Sequence, residues 1–208
     1  MSLPGFDAAG RALIERNLAR FALAPLEAQS LKRAAVCLIV TDDGAGGAAV
    51  VVTVRAHGLR THSGQFALPG GRVDPGEDPL DAARREAHEE IGLDLPATCI
   101  LGRLDDYPTR SGYLITPVVV WAPEGAAMRA NPDEVAIIHR LPLSELALPG
   151  SPEFVRIPES DRPVIRYPIF GTTVHAPTAA VLYQFMEVAV LGRDTRVAHL
   201  EQPTWAWR

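Results

Sequence analysis

The chain has 208 residues, of which 47% are hydrophobic and 22% charged, and its formal net charge is −5. This length and balance are typical of one globular domain, so we expect a single domain over residues 1–208 with its core at about 34–192. The negative charge without a basic block argues against nucleic acid as the partner, and no run of roughly 20 apolar residues is present to span a bilayer.

The first predicted elements are a helix and a hairpin. Residues 7–21 carry apolar side chains at helical spacing and predict a peripheral N-terminal helix, within a segment 1–33 outside the core. Two valine-rich runs at 34–40 and 48–55 flank a polar, glycine-rich stretch and predict a β-hairpin. The polar residues 58–69 predict a loop that leads into a short strand around Phe66.

The most clearly delimited element is a helix at 78–91. Asp78 can accept hydrogen bonds from the free amides of the first turn, Pro79 suits the first helical position, and Gly92 can end the helix in a left-handed conformation. Further predicted elements are strands at 100–104, 113–121, 135–141 and, with a weaker pattern, 164–170, then an apolar helix at 178–191 and a tail at 193–208. This mixture without repeats predicts one α+β domain.

Three glutamates of the 78–91 helix predict chemistry. Glu86, Glu89 and Glu90 are spaced i, i+3 and i+4, so their carboxylates share one helix face, away from the apolar face. Like charges this close repel one another unless a cation lies among them, and carboxylate oxygens suit Mg²⁺ or Mn²⁺. The alternative is a solvated face with ion pairs to Arg84 and Arg85.

The residues around these glutamates form a longer motif. Gly71 is followed after five residues by Glu77 and after seven more by Arg85-Glu86-Ala87-His88-Glu89-Glu90-Ile91-Gly92-Leu93. This order matches every fixed position of the Nudix hydrolase signature, G-x5-E-x7-R-E-U-x-E-E-x-G-U, where Ala87 is small for the aliphatic position. The chain therefore resembles Nudix hydrolases. The resemblance implies an αβα sandwich around a mixed β-sheet, with an added N-terminal helix and C-terminal helix.

The resemblance also implies a metal centre. Glu86, Glu89 and Glu90 would hold Mg²⁺ or Mn²⁺, with the backbone carbonyl of Gly70 or Gly71 as a further ligand. The ion would activate water for attack on one phosphorus of a P–O–P linkage, as is general for metal-assisted hydrolysis.

Other residues of the motif have implied roles as well. Arg85 and Glu77 would pair and brace the loop against the helix, while Gly92 would end it. Glu86 is a candidate general base. Glu134, just before the strand at 135–141, is a second candidate catalytic carboxylate, and its alternative reading is a charged residue in a turn.

A second pattern lies upstream and resembles the coenzyme A pyrophosphatase branch of this family. It consists of Val51-Val52-Thr53-Val54-Arg55-Ala56, then Arg60, His62, Gly64, Gln65 and Leu68-Pro69-Gly70-Gly71. Arg55, Arg60 and His62 would bind substrate, because arginines make charge-assisted hydrogen bonds with phosphates. The alternative is that the arginines anchor the loop through internal ion pairs.

The C-terminal region departs from that branch. Residues 172–176 separate the segment ending at Gly171 from the start of the last helix and indicate an insertion. The tail contains Trp205 and Trp207, whose rings would pack on a dimer partner or a substrate adenine, or lie on the surface.

The predicted function is metal-dependent cleavage of the pyrophosphate of coenzyme A or acyl-coenzyme A, which yields adenosine 3′,5′-bisphosphate and 4′-phosphopantetheine or its acyl form. One alternative is a hydrolase of ADP-ribose, NADH or another nucleoside diphosphate, and another is a non-catalytic Nudix-fold binding module. We expect a small-molecule nucleotide as partner, with no nucleic acid and no membrane, and the resemblance is compatible with a homodimer. The absence of a signal-peptide pattern and the two isolated cysteines favour a cytoplasmic location.

Overall fold

The computed structural model describes residues 2–24, 26, 30–56 and 64–207. Among these, none of the helices has the length and apolar character needed to cross a membrane. The helices are α1 (Ala8–Arg20), α2 (Pro79–Ile91), α3 (Leu143–Leu146) and α4 (Thr178–Gln184), which continues as a π-helix over Phe185–Val190. The strands are β1 (Lys32–Asp42), β2 (Ala48–Arg55), β3 (Phe66–Ala67), β4 (Gly70–Arg72), β5 (Ile100–Arg103), β6 (Tyr107–Pro108), β7 (Tyr113–Trp121), β8 (Val135–Pro142), β9 (Glu153–Ile157), β10 (Ser160–Ile169) and β11 (Thr172–His175).

Strand β1 is at the centre of a mixed sheet. It runs parallel to β7 from Lys32 to Val40 and antiparallel to β2 and β4. Strand β2 also pairs with β3 and β8, and β7 pairs with β5 and β6, all antiparallel. Within the described residues eight strands thus form one sheet, and the predicted hairpin of β1 and β2 is confirmed.

Both faces of this sheet are covered by helices. Successive side chains of a strand point to opposite faces, and along β1 the buried residues divide accordingly. Cys37 and Ile39 pack in the cluster that contains the apolar face of α2. Leu38 and Val40 pack in a second cluster with α1 and α4. The predicted α+β sandwich around a mixed sheet is therefore confirmed.

The N-terminal helix lies deeper than its sequence predicts. The Asp7 side chain accepts a hydrogen bond from the Gly10 amide at 2.7 Å and caps α1. Ile14 and Leu18 are buried in the main core, and the Asn17 side chain donates to the Ala189 carbonyl of the π-helix at 2.9 Å. Helix α1 therefore covers part of the core rather than lying outside it.

The C-terminal region has more order than the sequence predicts. Residues 172–176, which we interpreted as an insertion, contain β11, an antiparallel neighbour of β10 in a second, three-stranded sheet with β9. The tail at 193–208 returns to the core, where Val197, Leu200 and Ala206 are buried. Strand β11 and this tail lie against the same pocket, described below.

Candidate active site

Helix α2 begins and ends as its sequence predicts. The Asp78 side chain accepts a hydrogen bond from the Leu80 amide at 2.8 Å, and Pro79 occupies the first turn. Gly92 ends the helix with φ 64°, a left-handed conformation that glycine adopts without a steric penalty. The buried alanines of α2 are small, so the helix backbone lies close to β1, β4 and β7. The glutamate carboxylates of the same helix are therefore also close to the sheet.

Arg85 ties this helix to the loop before it. Its guanidinium contacts the Glu77 carboxylate at 2.9 Å and 3.2 Å and donates to the Arg72 carbonyl at 2.9 Å. The hydrogen bond from Arg85 lowers the pKa of Glu77. Arg85 Nη1 also donates to Glu86 at 2.8 Å and to Glu89 at 3.0 Å. The expected contact between Arg85 and Glu77 is present, and the same arginine neutralises part of the acidic face.

Glu86 reaches the backbone of β4. A side chain on Gly71 would collide with the Glu86 carboxylate, so the absence of a Cβ atom at Gly71 is what permits this approach. Gly70 is equally constrained on its other side, because a Cβ atom there would strike the β1 backbone at Ala35 and Val36. The two glycines therefore let β4 fit between β1 and the acidic face of α2.

Glu90 is the most deeply buried carboxylate of the site, with 3% of its surface exposed. Burial and the charge of Glu86 raise its pKa to about 8, although Arg55 and the Gly70 amide act in the opposite direction. The nearest described cation is Arg55, whose Nη1 lies 4.0 Å from Glu90 Oε1. Burial also raises the pKa of Glu86, against hydrogen bonding from Arg85. Arg85 therefore compensates Glu86 in part, whereas Glu90 has only the more distant Arg55.

Glu134 belongs to the same charged group. Its carboxylate raises the pKa of both Glu86 and Glu90 through its charge. The Glu134 carbonyl accepts a hydrogen bond from the Ala56 amide at 2.9 Å, which fixes the turn before β8 against the end of β2. The half-buried Glu134 thus lies on the side of the site that carries Arg55.

A pocket of about 790 Å³ opens beside these carboxylates. Such a volume is usual for sites that enclose small organic ligands. Gly70, Gly71, Arg55 and Arg72 line the side next to the acidic group. The rest of the lining comes mainly from β11, from the loop at 109–111 and from the C-terminal turn, and includes His175, Gln202 and Trp205.

Several of these lining residues were not predicted from the sequence. Arg72 donates from Nε to the Tyr113 hydroxyl at 3.0 Å, and Tyr113 also lines the pocket. Arg72 follows the two glycines of the motif directly, so its position beside the site was open to prediction. His175 and Gln202 carry no such local signal, because chain segments distant in sequence bring them to the pocket.

Two predicted substrate-binding residues, Arg60 and His62, lie outside the described residues. Within the described part of the chain, no three acidic, histidine or cysteine side chains already converge as a metal cage. Glu86 and Glu89 instead share Arg85, while Glu90 faces the sheet. A divalent cation still fits the chemistry of this group, since it would offset the buried charge of Glu86 and Glu90 and since hard oxygen donors are its preferred ligands.

Comparison with known proteins relates the chain to one family. The sequence profile of the NUDIX domain matches residues 31–162. The uncharacterized Nudix hydrolase NudL of Photorhabdus laumondii is 42% identical over 97 residues, which cover 46% of this chain and 52% of that protein. The NudL protein of Yersinia enterocolitica is 38% identical over 97 residues, with 46% and 50% covered. The chain spans about half the length of the curated relatives it matches.

Among solved structures, a MutT/nudix family protein from Enterococcus faecalis aligns with a TM-score of 0.51 at 17% identity. The alignment covers 87% of this chain and 76% of that one. This likeness concerns the fold alone, and it extends beyond the segment that the family profile matches.

Proposed function

The chain belongs to the NUDIX domain family, and we propose that it hydrolyses the P–O–P linkage of a nucleoside-diphosphate derivative with the help of Mg²⁺ or Mn²⁺. One observation carries the proposal. The half-buried Glu86 and the buried Glu90 meet β4 at the two glycines that line a nucleotide-sized pocket. Glu86, Glu89 and Glu90 would hold the ion, with the carbonyl of Gly70 as a further ligand. When bound, the ion would lower the pKa of water and neutralise phosphate charge.

The chain's own residues would supply the remaining parts of the reaction. Arg55 and Arg72 line the pocket beside the acidic group, so their guanidinium groups can bind and orient phosphate oxygens. Arg85 holds the loop of Glu77 and the helix of Glu86 in one arrangement through five hydrogen bonds. Glu86 and Glu134 are the candidate general bases, since each lies beside Glu90 and can take a proton from water.

We further propose coenzyme A or acyl-coenzyme A as the substrate. The support is the upstream pattern with Arg55, Arg60 and His62, together with Arg72, which lines the pocket as Arg55 does. Coenzyme A carries a 3′-phosphate besides its pyrophosphate, and each phosphate suits a bidentate arginine contact. The rival substrates are ADP-ribose and NADH, which lack that phosphate.

The test incubates the purified protein with Mg²⁺ or Mn²⁺ and coenzyme A, ADP-ribose or NADH in parallel, and separates the products by chromatography. Glu90→Gln should lower turnover by about 100-fold or more, because it removes a charge that would hold the ion. Glu124→Gln, an exposed glutamate outside the site, is the matched control and should keep full activity. Release of adenosine 3′,5′-bisphosphate from coenzyme A supports the proposal in full.

Other outcomes of the same assay would refute individual parts of the proposal. Cleavage of ADP-ribose or NADH but not of coenzyme A leaves the reaction standing and refutes the substrate. No cleavage by the folded, metal-supplied protein refutes the reaction and favours a binding module. Chelation with EDTA should abolish turnover, and unchanged turnover in EDTA would refute the role of the ion.

Arg60→Ala tests the substrate more closely. If Arg60 binds the 3′-phosphate, its loss should raise KM for coenzyme A by about 10-fold or more and leave KM for dephospho-coenzyme A unchanged, because a charge-assisted hydrogen bond contributes about 1.5–3 kcal/mol. Equal changes for both substrates would contradict this role of Arg60.

A further inference from the structure

One aromatic side chain of the C-terminal turn is exposed to solvent. Trp205 exposes 51% of its surface, yet the residues around it are fixed. Gln202 and Ala206 are buried, and Trp207 donates from its indole nitrogen to the Gln202 carbonyl at 2.9 Å. Arg110 lies over the Trp207 ring at 5.0 Å. The backbone that carries Trp205 is therefore anchored on both sides, and its indole is preorganised at the pocket wall.

About half of the Trp205 side chain is left uncovered by its neighbours. The ring of His175 of β11 lies perpendicular to the indole, with ring centroids 5.5 Å apart and planes at 84°. This contact supports the indole while half of its surface stays accessible. No other ring contacts Trp205 among the described residues. Since a large apolar side chain gains free energy when it is covered, an exposed, braced indole in a pocket indicates a planar ligand.

A hydrogen-bonding group lies at the same wall. Gln202 is 3% exposed and lines the pocket, and its Oε1 accepts a hydrogen bond from the Arg110 amide at 2.6 Å. No acceptor for its Nε2 amide group is found within the described part of the chain, so this donor is available to a ligand in the pocket. A flat ring with acceptor nitrogens at its edge, as in a nucleobase, meets both features of this wall.

The charged and the neutral parts of the pocket lining indicate how a bound nucleotide would be oriented. Arg55, Arg72 and the acidic group lie on the side of the pocket formed by β4 and the end of β2, where the phosphates belong. The wall with Trp205 is mainly apolar or neutral and includes Val174, Ala176 and Pro177 of β11 and the residues after it. Burial and the charge of Arg166 lower the pKa of His175, so at neutral pH its ring is uncharged. A nucleobase fits this wall better than a phosphate does.

We propose that Trp205, braced by His175 and accompanied by the Gln202 amide, is the stacking platform for the nucleobase of the substrate. The proposal rests on the proposed function, in which the substrate is a nucleoside-diphosphate derivative. Strand β11 and the C-terminal turn follow residue 162, so this platform lies outside the segment that matches the family. It would make these two segments a determinant of which nucleotide the chain accepts.

The test compares two diphosphates that cannot be cleaved and that differ only by the nucleoside. α,β-Methylene-ADP carries the base, and methylenediphosphonate lacks it. Calorimetric titration with Mg²⁺ should show that Trp205→Ala weakens binding of α,β-methylene-ADP by about 5- to 100-fold, the range for stacking of one base. Binding of methylenediphosphonate should stay unchanged. Phe154→Ala is the matched control, since Phe154 is 49% exposed and meets Tyr183 at 76° but lies outside the pocket.

A spectroscopic signature keeps the test independent of the alanine variant's stability. Stacking of a base should quench the emission of Trp205, so α,β-methylene-ADP should quench the wild-type protein. Trp205→Phe keeps an aromatic ring and should retain most of the affinity while losing this quenching. In turnover assays, Trp205→Ala should raise KM for coenzyme A and leave kcat close to its wild-type value, because the platform binds substrate away from the reacting bond.

The outcomes separate this proposal from the proposed function. Equal loss of affinity for both diphosphates, or persistent quenching in Trp205→Phe, would each overturn the platform. If Trp205→Ala selectively loses α,β-methylene-ADP but the wild-type protein cleaves no nucleotide, the platform stands and the hydrolytic function fails. If the wild-type protein cleaves coenzyme A and the variant's KM is unchanged, the function stands and the platform fails.

Discussion

The ion pair between Glu201 and Arg110 anchors the C-terminal turn, and its removal should destabilise the chain. Glu201 is 1% exposed and bonds both Arg110 and the Ser160 hydroxyl, the latter at 2.9 Å. Burial raises its pKa, but hydrogen bonds from Arg110, the Gln202 amide and Ser160 outweigh this and lower it from 4.5 to about 2. At about 1.36 kcal/mol per pKa unit, ionised Glu201 stabilises the folded chain by about 3 kcal/mol at neutral pH.

The stabilisation by Glu201 should decrease as the pH falls. Because the pKa of Glu201 is lower in the folded chain, its contribution is complete above about pH 4.5 and is lost as the pH falls towards 2. The free energy of unfolding, measured with urea, should therefore be about 3 kcal/mol lower for Glu201→Gln at pH 7. At pH 3 the difference from the wild-type protein should shrink to about half or less.

Glu153→Gln is the matched control for this prediction. Glu153 pairs with Arg166 at 2.6 Å, but both side chains are more than 40% exposed. An exposed pair contributes about 0–1 kcal/mol, since water screens the charges. Equal destabilisation by the two substitutions, or a Glu201→Gln effect that does not change between pH 7 and pH 3, would refute the reasoning.

Three further substitutions probe the site and the core. Gly71→Ala should lower kcat by about 100-fold at an unchanged melting temperature, because the new methyl group displaces the Glu86 carboxylate; wild-type kcat would contradict this. Arg85→Lys should lower both kcat and the melting temperature, since an ammonium group cannot replace the five hydrogen bonds of the guanidinium, and a variant with wild-type values would show that these contacts are dispensable. Ile14→Ala should cost about 2–5 kcal/mol of unfolding free energy in urea, as for a fully buried side chain; a cost under about 1 kcal/mol would mean that α1 is a detachable accessory.

The catalytic helix could be predicted from sequence because its signals are local. The cap at Asp78, the end at Gly92 and the spacing of the three glutamates all act within one helix. The strand at 113–121 was predicted with its observed bounds, since nine consecutive residues there have β-compatible, mostly apolar side chains. For these two elements, whose structure depends on neighbouring residues in the chain, the sequence pattern was sufficient to predict the bounds.

The burial of Glu90 could not be predicted in the same way. Its position on the helix face follows from spacing, but its 3% exposure depends on β4 and on Arg55 of β2. Sequence periodicity treats the three glutamates as equivalent, whereas the sheet buries Glu90 and leaves Glu89 exposed. The raised pKa values of Glu86 and Glu90 are therefore a property of the tertiary structure.

The pocket wall was the least predictable part of the site. Glu201 and Arg110 are 91 residues apart, and β11 reaches the pocket because it pairs with β10. We interpreted residues 172–176 as an insertion because the family pattern was interrupted there. The threonines and the valine of this run favour a strand, but four residues between turns are too few for a clear pattern, and the role of the strand depends on its pairing with β10.

The catalytic groups and the pocket wall around Trp205 come from different parts of the chain. Most of the groups that would act on the P–O–P linkage lie on α2, β4 and the loop between them, and these groups, together with Arg55 and Glu134, all fall within the family match. The wall that would choose the nucleotide is formed largely by β11 and the turn around Trp205, beyond that match. A chain can therefore keep the local catalytic geometry intact while substitutions in the C-terminal segments alter the shape, charge and aromatic surface of the pocket. The arginines that would bind phosphate lie inside the matched segment, whereas contacts with the nucleobase would depend on the residues after it.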